Sequence, residues 1–236
     1  MKVIDKKVSN LKTPFRVDYY EGLANINSWI NLEYPIFFIV VAFVLAGTYA
    51  KDSSSGINEL TLATAGGRKK NMRARLIAGN LLTATIYFIF IGIFVLEHGA
   101  IASLHGWAAS AQTFWFDSIY NINIGTALLI LLFGGLMGSL VMANIVMLTS
   151  IKFKNIKFTI GASVVIVYLL FRQTATYSNI RLFNPLQFRS ASLLEYYFFI
   201  GNAAIPYFVI VLILTAVYVV FFQLLIKNTY KKYCIS

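Results

Sequence analysis

Five stretches of this chain are almost continuously apolar, and its polar residues gather between them. The runs are 34–50, 76–96, 124–151, 158–171 and 204–226. A helix that crosses the hydrocarbon core needs about 20 mostly apolar residues, within a range of about 17–25. Each run is therefore read as a transmembrane helix. The fourth is short and gains its length by continuing through the Arg172–Thr176 region, with Arg172 snorkelling toward the headgroups. Pro35 and Pro206 fall at the starts of the first and fifth runs, where proline costs little because that N–H lacks a helical partner anyway. The pattern predicts an all-α integral membrane protein of about five transmembrane helices. The predicted spans are 34–50, 76–97, 124–151, 158–176 and 204–226, forming one membrane domain (34–236) after a polar N-terminal segment (1–33). No secretory leader is visible, because that segment lacks an uninterrupted apolar stretch.

Composition strengthens this picture. Of the 236 residues, 58% are hydrophobic and 12% charged, with a mean hydropathy of +0.72. Soluble domains carry about a quarter charged residues, so this chain has too little polar surface to cover a water-soluble core. The formal net charge of +11 would suit nucleic acid, but its distribution points elsewhere. Lys51, Arg68, Lys69, Lys70, Arg73 and Arg75 lie between the first two runs. Lys152, Lys154 and Lys157 lie between the third and fourth, and Lys227, Lys231 and Lys232 follow the fifth. The opposite loops hold only Arg172, Arg181 and Arg189. By the positive-inside rule the first group is cytoplasmic, which makes this a multi-pass membrane protein with a cytoplasmic C-terminus. Nucleic acid is not an expected partner; the lipid bilayer is. One conflict follows. Five spans ending inside would begin outside, yet residues 1–16 hold five basic residues. An earlier span missing from the chain, a translocated basic tail and a segment lying along a surface all fit.

The one long polar stretch set between two apolar runs is KDSSSGINELTLATAGGRKKNMRAR, residues 51–75. Asp52, Ser53, Ser54 and Ser55 offer N-caps, and residues 57–65 read as a short helix with Ile57 and Leu60 on an apolar edge. Gly66 and Gly67 suit the left-handed cap that would end it. A plain connector needs no such edge, and an apolar edge in water usually has a partner.

The order of span, polar helix, basic cluster and span resembles the type-2 ABC transporter permease family. The match is carried by Gly56, Glu59, Leu60, Leu62, Thr64, Gly67, Arg68 and Lys69, together with Ile57 of the same segment. A second likeness is LFNPLQF, in which Asn184 and Pro185 resemble the segment opening the family's outer re-entrant hairpin; Glu195 lies within the same stretch. The resemblance spans about residues 30–230. It implies that 57–65 is a coupling helix seated in the groove of a separate ABC ATPase subunit, present in two copies. ATP and Mg would be bound by that partner, and this chain would bind no cofactor. A second permease, identical or related, would complete the path. The family usually has six spans, and the five runs read here correspond to the second through the sixth. The implied function is the membrane-spanning subunit of an ATP-driven exporter for a hydrophobic or amphipathic cargo such as an antimicrobial peptide or drug. The alternative is a non-transporting accessory or immunity-type protein descended from such a permease.

Other chemistry has little footing. No G-x-x-x-x-G-K-[ST] phosphate loop occurs, so hydrolysis of ATP belongs to another polypeptide. His98 and His105, near Glu97 and Ser103, read as loop residues and not as a catalytic or metal site, and Cys234 is the one cysteine. The predicted spans contain no mid-membrane acid to couple an ion. Neither a catalytic nor a metal-binding residue is therefore assigned. Within the third run, Gly134, Gly135, Gly138 and Ser139 form two small-x-x-x-small pairs that allow close helix approach; packing inside the subunit and a permease–permease interface both use them. The aromatic loops 107–120 and 193–202 read as interfacial belts or as amphipathic re-entrant helices over the path.

Overall fold

The computed structural model describes residues 8–11, 15–19, 21–54, 67–102, 104–116, 118–176, 181–189, 192–200 and 203–233. The first long helix, α1, spans Glu21–Leu45. It begins well before the apolar run at Tyr34 because Leu23 and Ile26, three residues apart, already bury their side chains. Pro35 therefore sits inside α1 and not at its start, and deprives the Asn31 carbonyl of its helical partner. The helix breaks at Ala46 and resumes as α2, Gly47–Ser54. Asp52, Ser53 and Ser54 are thus helical, which removes them as N-caps for the following segment. Helix α3, Gly67–Ile101, is the longest at 35 residues. Gly67, Arg68 and Lys69 belong to its first turn, so Gly67 is not the end of a preceding helix.

Helix α4, Ile124–Phe153, opens on Asn123, whose Oδ1 accepts from Thr126 N at 2.8 Å, and closes on Lys154 in the left-handed region. Asn155 Oδ1 then accepts from Lys157 N at 2.9 Å and starts α5, Ile156–Thr176, after a two-residue turn. A mostly irregular segment follows, with 3-10 turns at Arg181–Phe183 and Pro185–Arg189 and the short helix α6, Ser192–Glu195. Strands β1 (Tyr197–Ile200) and β2 (Ala203–Pro206) pair antiparallel, with Tyr197 opposite Pro206. Of the stretch 193–202 read as helical, residues 193–195 are helical and 197–200 form a strand, in keeping with the β-prone Tyr-Tyr-Phe-Phe-Ile sequence. The last helix, α7, is Tyr207–Tyr233.

Four helical stretches are long and apolar enough to cross a membrane: Leu32–Lys51, Lys70–Ile101, Ile124–Phe153 and Tyr207–Lys231; Ile156–Phe171 is a shorter apolar helix. The chain is a multi-pass membrane protein. Helix α4 is the hub, packing on α1, α3, α5 and α7 and on the 185–189 turn. More than half of its apolar window is buried (56%), against 17% for α7. Large side chains such as Ile77, Leu81, Phe88 and Leu96 on α3 and Ile213 and Val217 on α7 stay exposed, as lipid-facing residues do.

Deep in the bundle, the Tyr34 hydroxyl meets the Tyr87 hydroxyl at 2.6 Å, and Tyr87 donates to the Leu132 carbonyl at 2.5 Å. This joins α1, α3 and α4 where no water competes. Tyr87→Phe is expected to cost about 1 kcal/mol, read as a fall of about 2–4 °C in the unfolding midpoint in detergent. Phe88→Leu, on the lipid face, should leave the midpoint unchanged; equal shifts would deny the bridge any role.

Candidate functional site

On either side of residues 55–66, the start of α2 is fastened to the first turns of α3 and to α4. The break at Ala46 leaves the first N–H groups of α2 without helical partners. Ser150 of α4, fully buried, supplies the missing acceptor: its Oγ accepts from Tyr49 N at 3.1 Å and Ala50 N at 3.0 Å. The same hydroxyl donates to the Ala46 carbonyl at 2.7 Å. One serine thus caps a helix of a different segment and uses its full bonding capacity. In an apolar surrounding those N–H groups have no water to turn to.

The second fastening joins α2 to α3. Tyr49 OH donates to the Met72 carbonyl at 3.3 Å. Arg75 donates through Nη1 to the Thr48 carbonyl and through Nε to Asn71 Oδ1, the latter at 2.9 Å. The guanidinium also lies 5.7 Å from the centre of the Tyr49 ring, a cation–π distance. Tyr230 of α7 packs on the other partner of this cluster, its ring 5.8 Å from that of Tyr49. Four of the long helical stretches therefore meet at the two points where the polar stretch is entered and left.

About midway along α4 the glycines meet the turn and short helix that hold Pro185, Phe188 and Leu193. A Cβ on Gly134 would collide with the Phe188 carbonyl and with Leu193, and one on Gly138 would come within 2.6 Å of the Pro185 carbonyl. Gly135 receives the Tyr34 hydroxyl group in the same way. Ser139 Oγ bonds the Gly135 carbonyl at 2.7 Å and is fully buried. The three glycines thus pack against other segments of this chain, while Ser139 bonds its own helix. Gly138 stands fourteen residues into α4, about 21 Å along its axis, so the Pro185 backbone lies level with the middle of that helix.

Irregular backbone at that depth needs internal partners, and it has them. Asn184 Nδ2 donates to the Leu170 carbonyl at 2.7 Å, while its Oδ1 accepts from Leu186 N at 2.9 Å. Tyr218 OH donates to the Phe183 carbonyl at 2.7 Å, and Tyr207 OH donates to the Leu182 carbonyl. Glu195 closes α6, half-buried.

Other predicted positions fall elsewhere. Gly56, Ile57, Glu59, Leu60, Leu62 and Thr64 lie outside the described residues. Gly67, Arg68 and Lys69 are placed by backbone alone, in α3. His98 Nδ1 is 3.0 Å from the Phe94 carbonyl and its ring lies 4.1 Å from that of Phe94, while His105 is exposed. The 104–123 loop is not a helical cap over its described residues. It holds one 3-10 turn, Ala111–Thr113, and Gln112 Nε2 donates to the Ser118 and Tyr120 carbonyls at 3.2 and 2.6 Å. Burial pushes the Tyr120 hydroxyl above its ordinary range, and the neighbouring Tyr197 phenol adds to the effect. The N-terminal segment joins this end: Arg16 N donates to Ser110 Oγ at 3.1 Å and Asn121 Nδ2 to the Asn10 carbonyl at 2.9 Å.

Sequence reasoning missed Ser150, Tyr49 and Arg75. Their signals were faint: a serine in the last turns of an apolar run, and an Ala-Gly pair that permits a helix break. Comparison with protein families, curated proteins and solved structures finds no match for this chain.

Proposed function

We propose that this chain is the membrane-spanning subunit of an ATP-driven exporter of the ABC type-2 class. The observation that carries the reading is the double fastening of the polar stretch at its base. A free connector needs no such clamp. A lever does, because force applied to 55–66 must reach the helices without loss. Ser150 would pass it to α4, and α4 would pass it to Pro185, Phe188 and Leu193, lodged against Gly134 and Gly138 near the middle of that helix.

In this reading the basic end and the C-terminus face the cytoplasm of a bacterial cell. Helix α5 serves as a fifth span, and residues 181–206 form a re-entrant element on the outer side, supported by the depth of Pro185 along α4. The 57–65 segment docks in the groove of a separate ATPase, which holds ATP and Mg. Leu60 and Leu62 are its apolar contacts, and Glu59, Arg68 and Lys69 its polar ones. Closure of two ATPase subunits would tilt α2 and α3 and switch access between the two sides. A second permease, identical or related, would face this one across the path. The cargo is hydrophobic or amphipathic, in line with spans that carry no interior charge.

Leu60→Asp tests the docking. An aspartate at an apolar contact leaves a charge without a partner. The variant should insert in the membrane as the parent does and lose the ATPase from a mild-detergent purification scored by quantitative mass spectrometry. A variant that keeps its ATPase and transports normally would sink the assignment.

A further inference from the structure

Between the basic-end halves of α3 and α7 the bundle opens sideways into a groove of about 670 Å³, whose lining includes Arg73, Leu76, Asn80, Leu140, Val219 and Gln223. Its polar groups are graded by depth. Arg73 stands near the basic end of α3, and Asn80 lies seven residues farther on, about 10 Å deeper. Gln223 faces the groove from α7. Asn80 is held in place: its Nδ2 donates to the Leu76 carbonyl at 2.8 Å, and its Oδ1 accepts from Asn144 Nδ2 at 2.9 Å. Arg75 is turned inward to the clamp, whereas Arg73 lines the groove.

Helical register carries the charge outward from the mouth. Lys70 precedes Arg73 by three residues on α3, and Lys227 and Lys231 follow Gln223 at four-residue steps on α7. All three lysines are exposed, and none of the residues lining the groove is acidic. Ile77 and Leu81 also line it and present large apolar surfaces, 69% and 67% exposed. A cationic rim, an uncharged polar step and then apolar walls reproduce the profile of a phospholipid from phosphate to glycerol ester to acyl chain. Basic pockets between transmembrane helices bind anionic headgroups in this way.

We propose that this groove is a binding site for an anionic phospholipid of the leaflet at the basic end. Its phosphate sits at Arg73 with Lys70 and Lys227 around it, its ester region lies between Asn80 and Gln223, and one chain runs along Leu140 and Val219. The site does not depend on the exporter reading.

The test uses the full chain purified in mild detergent, with phosphatidylglycerol or phosphatidylcholine added and retained lipid counted by native mass spectrometry. The parent should keep phosphatidylglycerol in preference to phosphatidylcholine. Arg73→Gln should lower that retention about fivefold, as loss of one interfacial cation implies, and Arg73→Lys should restore most of it. Lys157→Gln, at the exposed start of α5 and away from the groove, should change nothing. Equal retention of both lipids, or equal losses in Arg73→Gln and Lys157→Gln, would overturn the site in favour of diffuse charge. Cross-linking of the Ile77→Cys variant to a second protein, with no lipid retained, would overturn it in favour of a protein interface.

Discussion

Gly134→Val is expected to lower the unfolding midpoint by about 4–10 °C, the largest single effect anticipated for this chain. The reason is geometric. The position where a side chain would begin is already occupied by the Phe188 carbonyl and by Leu193. Backbone cannot rotate away as a flexible side-chain end can, so the 185–195 segment must lift off α4 or the helix must shift. Lifting exposes irregular backbone whose partners, Asn184, Tyr207 and Tyr218, are placed for the seated position. The matched control is Gly161→Ala on α5, where nothing lies within 4 Å of an added Cβ. There alanine should be neutral or slightly stabilising, as it is in helices generally. Fluorescence-detected gel filtration after graded heating separates the two. Equal behaviour of both variants would mean that the segment is not seated on the glycine face.

Ser150→Ala should be nearly as damaging, for a different reason. It creates almost no cavity but leaves Tyr49 N–H and Ala50 N–H without their acceptor. A buried donor left unmade costs about 1–3 kcal/mol, a midpoint shift of about 2–10 °C. Ser163→Ala is the fitting comparison. Ser163 is also fully buried, but its hydroxyl has only a 3.4 Å approach to Thr149 Oγ1, so little should change. Beyond stability, Ser150→Ala loosens the joint between α2 and α4. Under the exporter function proposed above, an assembly carrying it should retain its ATPase while transport falls more than hydrolysis. If hydrolysis and transport fell together in proportion, the serine would be a structural cap with no part in coupling.

Much of the membrane architecture was legible because hydropathy over about 20 residues is a strong and local signal. The runs 34–50, 76–96 and 124–151 each fall in one of the four long apolar helices, and the run from 204 enters the fourth only at Tyr207, its first three residues belonging to β2. Helix starts were less legible. Residues 21–33 are polar enough to resemble a loop, yet Leu23 and Ile26 anchor them to the bundle, a tertiary effect that hydropathy does not contain. Pro35 misled for a related reason: proline favours a first turn, but an interior proline survives where tertiary packing holds the helix together. The β1–β2 ribbon was hidden because a short aromatic run reads equally as an interfacial helix or as a strand.

The two small-residue pairs and the Asn184–Pro185 turn were each visible as motifs. Their meeting was not, since nothing in either stretch encodes contact across some fifty residues of intervening chain. The Ser150 cap lay further still from view. A serine on an apolar helix usually bonds its own backbone, as Ser139 does with Gly135. Only the break at Ala46, a hundred residues away, turns Ser150 into the acceptor for another helix.

The central claim is that the stretch 55–66 couples this chain to an ATPase. The most direct measurement is magnesium-dependent ATP hydrolysis by the assembly isolated from native membranes, in mild detergent, through a tag on this chain. The account predicts steady hydrolysis by the parent preparation and its loss when Leu60→Asp releases the partner. Parent chain recovered intact under several gentle conditions with no hydrolytic activity would contradict it, and the clamp at Ser150 and Arg75 would then stand as packing beneath a simple basic connector.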